Sequence, residues 1–374
     1  MKNVHLKRLL EQLETAIQPA RQAETDRLYQ RALRSEDTER IPLSLAYPLP
    51  VDSSFSPFPH RELFADPEKM LFNELVHAFE TSILHHATVQ DDLPFTIRAN
   101  FGTGVIAPLF GARVEQVDDN PPWVRSFESL DAFQRVFDCD PLDFSRGWCP
   151  RVVERYEFYR ATLAEYPRLN RAVWRVLPDL QGPMDTAEML RGSEWYEDLV
   201  ERPAMVNKLL ALLAQAQVGF ARRLQPLLND GPPGFCHQHA SALAGNILIR
   251  NDSAIMISPA MYREQIAPHD EWVLREMGGG GIHSCGNIGH LAAEYLRLPS
   301  LRALDLGQPE LNDLDSLYAL ARARKVALIR VDVPEDELVS GRVRERFPTG
   351  VTLRHRSASL AAAAQLMARY RGAS

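Results

Sequence analysis

Residues 278–306 read GGGGIHSCGNIGHLAAEYLRLPSLRALDL. Four glycines close a helical segment (Pro259 to Met277), a short apolar run from Gly281 to Ser284 follows, and Cys285 stands just beyond it. A helical stretch, Ile288 to Leu296, leads to a second apolar run, Leu301 to Asp305. Strand, helix and strand in so short a span suit two neighbouring parallel strands joined by one right-handed crossover. Toward the C-terminus the unit repeats. Apolar runs Val326 to Val331 and Val351 to His355 alternate with helical segments Leu314 to Ala323, Glu335 to Arg346 and Ala358 to Tyr370. Toward the N-terminus lie the runs Asn246 to Ile249, Val173 to Leu180 and Phe95 to Asn100, with helices over Ala204 to Leu224 and Arg151 to Glu165. The run Ile41 to Tyr47, closed by Pro48 and Pro50, reads as the first strand. This alternation predicts an α/β protein, a single (β/α)8 TIM barrel over residues 40–374, preceded by a helical extension over residues 1–39. No linker or internal repeat divides it.

Length and composition agree. A barrel needs roughly 250 residues, and the chain has 374. With 45% hydrophobic and 24% charged residues it has the balance of a folded domain rather than a disordered one. A net charge of -7 without a Lys/Arg block predicts no nucleic-acid surface. Cys139, Cys149, Cys236 and Cys285 are too few and too irregular for a disulfide framework, which points to a reducing compartment. The opening MKNVHLKRLLEQLETAI is a charged amphipathic helix, and no uninterrupted apolar run has the roughly 18 residues of a membrane span. A cytoplasmic protein without a membrane partner is expected.

His283 and Cys285 leave their strand on one side, because the strand period is two. Imidazole nitrogen and thiolate are donors that Zn²⁺ selects, and a catalytic zinc takes three protein ligands with one position open. The alternative is an ordinary histidine beside a free cysteine that packs as a small hydrophobe. No cysteine follows Cys285. The third ligand is then expected at His355, at the C-terminal end of the last apolar run, where barrel active sites form. The competing assignment for His355 is a solvent-facing histidine between Arg354 and Arg356. The run Cys236-His237-Gln238-His239 precedes the strand NILI, so it is expected at the opposite face.

Asp252 follows that strand and should project at the mouth as a proton acceptor or as the orienter of a histidine, unless it caps a turn. Asn251 beside it, Gln181 and Asp185 in QGPMDTA, and Asp305 at the end of its strand are the expected substrate contacts; capping is the alternative for Asp185 and Asp305. The irregular stretch Phe101 to Asp143 is expected to shape the substrate mouth.

Four motifs together resemble the uroporphyrinogen decarboxylase superfamily: Arg40-Ile41-Pro42, Gln181-Gly182-Pro183 with Thr186-Ala187, Asn251-Asp252 with Ile257-Ser258-Pro259, and Ile282-His283-Ser284-Cys285-Gly286. The resemblance spans most of the chain from about residue 40 and implies a single-domain barrel enzyme. The true decarboxylases of the superfamily bind substrate carboxylates with arginines after the first strand, where this chain has Ala46 to Asp52, AYPLPVD, without one. The corrinoid-dependent methyltransferases bind zinc through a His-x-Cys pair and a later Cys. His283 and Cys285 match the pair, and His355 stands near the position of the missing Cys. By resemblance, zinc at His283, Cys285 and His355 would activate a small thiol to take a methyl group from a corrinoid on a partner protein, with Asp252 as orienter or base. The first alternative is a cofactor-free decarboxylase or lyase with Asp252 and His355 as the acid/base pair. The second is a non-catalytic corrinoid- or tetrapyrrole-binding protein. A homodimer is in keeping with such enzymes, although no residue demands one.

Overall fold

The computed structural model describes residues 3–51, 53–77 and 82–372; Asp52, the last residue of AYPLPVD, lies outside them. Two helices open the chain, α1 (Val4–Ala16) and α2 (Pro19–Leu33). Asn3 caps α1 by accepting from the His5 and Leu6 N–H groups, and Leu6, Leu9, Leu10 and Leu13 line one buried face. These leucines join the main core cluster, so the extension shares its hydrophobic core with the α/β body.

Twelve strands follow among the described residues: β1 (Leu43–Ala46), β2 (Thr96–Ile97), β3 (Arg113–Glu115), β4 (Trp123–Arg125), β5 (Trp174–Arg175), β6 (Phe235–Gln238), β7 (Ser241–Ala244), β8 (Ile247–Arg250), β9 (Gly280–Ser284), β10 (Leu301–Leu306), β11 (Ala327–Val331) and β12 (Val351–Arg356). Six form one sheet in the order β1-β12-β11-β10-β9-β8. Its neighbours are all parallel. β2 and β5 form a separate parallel pair. The outer edge of β8 reaches the segment after β5, through a parallel bridge between Gln181 and Arg250. At the other edge, the Asp92 N–H donates to the Leu43 carbonyl at 2.9 Å.

The expected helices form with three departures. Residues 259–276 are one path, but Tyr262–Ile266 is a π turn, because Pro268 has no N–H to offer the carbonyl four residues back. Gly341, at φ 78°, splits the expected Glu335 to Arg346 helix in two. Between Ile288 and Leu296 only Ala292–Tyr295 is helical. By length and composition Pro203–Leu227 could cross a membrane; Val206, Leu209, Leu210, Leu213 and Phe220 of this stretch are packed into the main core.

The antiparallel hairpins β3–β4 and β6–β7 were not foreseen. The second matters most, because it packs on the face of the sheet that carries Asp305. β7 lies against β9, β10 and β11. Phe235, Cys236 and Leu243 of the hairpin, Tyr29 and Leu33 of α2, and Leu248, Ala303, Ala327 and Ile329 of the strands form a second core. The strands leave room for the hairpin by carrying small residues on that face. At Gly281 a Cβ would come within 2.9 Å of Leu248 Cδ1 and 3.4 Å of Leu243 Cδ1. The run Cys236–His239 therefore does not lead straight into a strand of the parallel sheet: it forms the first arm and tip of a buried hairpin.

Candidate active site

The C-terminal ends of β8, β9 and β10 carry Asp252, Cys285 and Gly307, each one or two residues past its strand. Register sets His283 beside Asp305 on β10 and beside Arg250 on β8. Nδ1 of His283 lies 2.8 Å from Asp305 Oδ2, while its Nε2 lies 3.6 Å from Cys285 Sγ and 3.6 Å from Asp252 Oδ1. Asp252 Oδ1 also accepts the Cys285 N–H at 2.7 Å, which fixes the turn that presents the thiol. His283, Cys285 and Asp252 offer donor atoms within 4.8 Å of one another. Gly307 leaves the space, since a Cβ there would stand 2.6 Å from Cys285 Sγ and 3.1 Å from His283 Cε1.

Beneath this face lies a buried polar layer. The fully buried Asp305 Oδ2 receives Nδ1 of His283, Nδ1 of His239 at 2.8 Å and Arg330 at 3.4 Å. Arg250 approaches the other nitrogen of His239 at 3.2 and 3.3 Å and is paired with Asp179 at 2.5 Å, as is Arg98 at 3.2 Å. Arg250 is always a donor, so His239 is the neutral tautomer with its proton on Nδ1. Burial and then Arg250 push its pKa well below the ordinary value. His283 goes the other way. Burial alone would lower its pKa, but the Asp305 carboxylate outweighs this and pushes it up to about 10. Asp305 is held well below the carboxylate range, because Arg330 and the histidines overcome the cost of its burial.

Backbone conformation aims two of these groups. His239 and Ala240, at φ 50° and 59°, are the two turn residues between paired Gln238 and Ser241. Two left-handed residues are what a tight two-residue hairpin needs, and here they are paid without a glycine. Arg330, at φ 62°, sits where the β11–β12 register shifts, and this bulge turns its guanidinium toward Asp305.

Several expected residues lie elsewhere. His355 is not in the His283–Cys285 group; its Nδ1 is 2.7 Å from Asp332 Oδ1, and this bond raises its pKa. Asp252 takes the third place. Asn251 is completely buried and donates to Asp270 at 2.7 Å, and Asp305 is buried and bonded to the two histidines, so neither side chain is exposed. Asp185 accepts the Asp252 and Ser253 N–H groups, both at 2.9 Å, and so caps the turn that carries Asp252. Gln181 donates to Asp179 at 2.8 Å. Gln181, Asp185 and Asp252 nevertheless line one cleft of about 500 Å³, with Glu188, Tyr196 and Trp123 of the β3–β4 hairpin. His237 is structural, stacked on Trp174 and bonded to Asp230 at 2.7 Å. His239, Arg330 and Gly307 were missed. Only Gly307 left a local trace, as a glycine two residues after the strand-ending Asp305.

These features define an α/β protein with a parallel sheet, N-terminal helices and a His/Cys/Asp group able to hold a metal at the C-terminal ends of adjacent strands. The fold is shared with a methyltransferase from Methanosarcina mazei, at a TM-score of 0.60 and 13% identity over 93% of this chain and 98% of that one. No family model and no curated protein matches the sequence.

Proposed function

We propose that this chain is a zinc-dependent methyltransferase on a closed (β/α)8 barrel of the uroporphyrinogen decarboxylase superfamily, with His283, Cys285 and Asp252 as ligands. The convergence of those three donor atoms carries the reading. Support for closure comes from the contacts at both sheet edges, which bring the β2–β5 pair between β8 and β1. The donor set fits zinc: one imidazole, one thiol and one carboxylate, with the histidine oriented by a buried carboxylate on its other nitrogen. The named activity of the Methanosarcina relative in fold supports methyl transfer.

Bound zinc would supply Lewis acidity that lowers the pKa of an incoming thiol. The protein's residues do the rest. Asp305 would hold one proton of His283 on Nδ1, and the Nε2 proton that its carboxylate otherwise favours would give way to zinc. Asp252, whose side chain is 45% exposed, holds the Cys285 backbone with Oδ1 and can accept a substrate proton. Among the described residues the adjacent cleft presents Asp185, Glu188 and Asp252 and no Lys or Arg. Such a lining disfavours a polycarboxylate substrate and therefore weighs against the decarboxylase reading. In this proposal the acceptor is a small molecule, the methyl donor is a corrinoid on a partner protein, and the enzyme works in the cytoplasm.

The test is elemental analysis of the purified protein with Cys285→Ser, Asp252→Ala and His355→Ala. The expectation is about one zinc per chain, lost in the first two variants and kept in the third. Absence of zinc from the native protein, together with decarboxylation that survives chelation, would overturn the proposal in favour of the cofactor-free reading.

A further inference from the structure

A broad groove lies at the other end of the sheet. Arg40 precedes β1, Asp92 precedes β2, and Arg371 ends the last helix; with α2 they line a groove of about 940 Å³. Its charged lining is five arginines (Arg21, Arg27, Arg31, Arg40, Arg371) against three carboxylates (Glu24, Glu39, Asp92), a formal excess of two positive charges on a chain of net -7.

The pairing makes that excess local. Both terminal nitrogens of the Arg40 guanidinium donate to Asp92. Arg31 pairs with Glu39 at 3.3 Å. Among the described residues Arg21 makes no ion pair and Arg371 only a long one, and the buried Asp91 acts on both at a distance. Both donate to one neutral acceptor, the Gln90 carbonyl, and the nearest acid to Arg371 is the already engaged Asp92, at 3.9 Å. Nε of Arg371 is buried without a hydrogen-bond partner. Gln90, in the left-handed region at φ 57°, holds that carbonyl in place. Arg27 makes no hydrogen bond or ion pair among the described residues and is exposed at the groove. The first turn of α2 adds Ala20 and Arg21 to the lining, and its cap residue Gln18 gives it no side-chain bond. Two guanidinium groups converging on one carbonyl repel each other unless an anion lies between them, and a multiply charged oxyanion is the ligand whose geometry guanidinium forks match.

We propose that this groove is a binding site for a phosphate-bearing small molecule, with Arg21 and Arg371 clamping the phosphoryl oxygens and Arg27 at the entrance. The site is independent of the metal centre, which lies at the opposite ends of the strands.

Inorganic pyrophosphate is the probe, titrated calorimetrically into the full chain, with sodium chloride at matched ionic strength as the control for screening. Saturable binding to the native protein is expected, about ten-fold or more weaker in Arg21→Gln/Arg371→Gln. Arg27→Gln, on an exposed position, weakens binding less and serves if the double variant does not fold. No saturable binding to the native protein, an equal response to chloride, or unchanged affinity in these variants overturns the proposal. A site that prefers an oligonucleotide to pyrophosphate would also overturn it, in favour of a nucleic-acid surface.

Discussion

Gly307 shows how much one missing side chain decides. Its Cβ would overlap Cys285 Sγ and crowd Cys285 Cα and His283, while its φ lies outside the left-handed region, so the objection to alanine is steric and local to these two residues. Gly307→Ala is expected to reduce zinc content strongly with little loss of melting temperature; parallel metal analysis and thermal unfolding check both halves, and full zinc in the variant would mean that Cys285 is not a ligand. Asp305 carries the opposite burden. Replacing it by Asn leaves Arg330 and His283 without their buried counter-charge, at a cost of about 3–5 kcal/mol. Chemical denaturation of Asp305→Asn measures this, and a change below 1 kcal/mol, roughly the worth of one ordinary hydrogen bond, would show that the layer is solvated. The pair His283 and Cys285 was legible because strand alternation is local. Asp305 was visible as a strand-ending acid, but its histidine partners were not, since His239 comes from 66 residues away in the chain.

Among the elements, the β6–β7 hairpin governs the site from below. It fills the space between the strands and lifts His239 to Asp305, and the small residues Gly281, Ala303 and Ala327 make room for it. Gly281→Ala is expected to cost about 1–3 kcal/mol by overpacking Leu248 and Leu243. Equilibrium unfolding in urea would detect this, and an unchanged midpoint would mean the hairpin does not press on β9. The eight apolar runs were readable from periodicity, and each holds a strand within them or offset by a residue at an end. The hairpins were not readable. β3 and β4 have three residues each, too few for an alternation to register, and the β6–β7 turn is His239-Ala240, without the Asn-Gly or Asp-Gly pair that marks a tight hairpin.

For the whole molecule, buried carboxyls set an unusual pH response. Burial pushes Asp91, Asp185 and Asp270 each up to about 7; Asp252 adds to the rise at Asp185, and Asp185 to that at Asp270. A folded-state pKa raised above the unfolded one favours the native state at low pH, and that advantage is lost as pH climbs from about 4 through about 7. The contribution of these three carboxyls therefore falls across this window, while buried histidines with depressed pKa such as His239 contribute the opposite slope. The carboxyl share is isolated by difference: native stability minus that of Asp270→Asn is expected to fall as pH climbs from about 4 through about 7. Denaturant midpoints of both proteins at a series of pH values provide the check, and a difference that is flat or rises over the window would refute it. By itself, the sequence determined the α/β class, the order of strands and helices, and the placing of His283 and Cys285 on one side of a strand, because each rests on spacing within a few residues. Only the tertiary structure decided that Asp252 rather than His355 joins them, that Asn251 and Asp305 are buried, and that the arginines of α2 and the last helix share one groove. Those relations depend on which strand ends and helix ends meet, and chain distance carries no information about that.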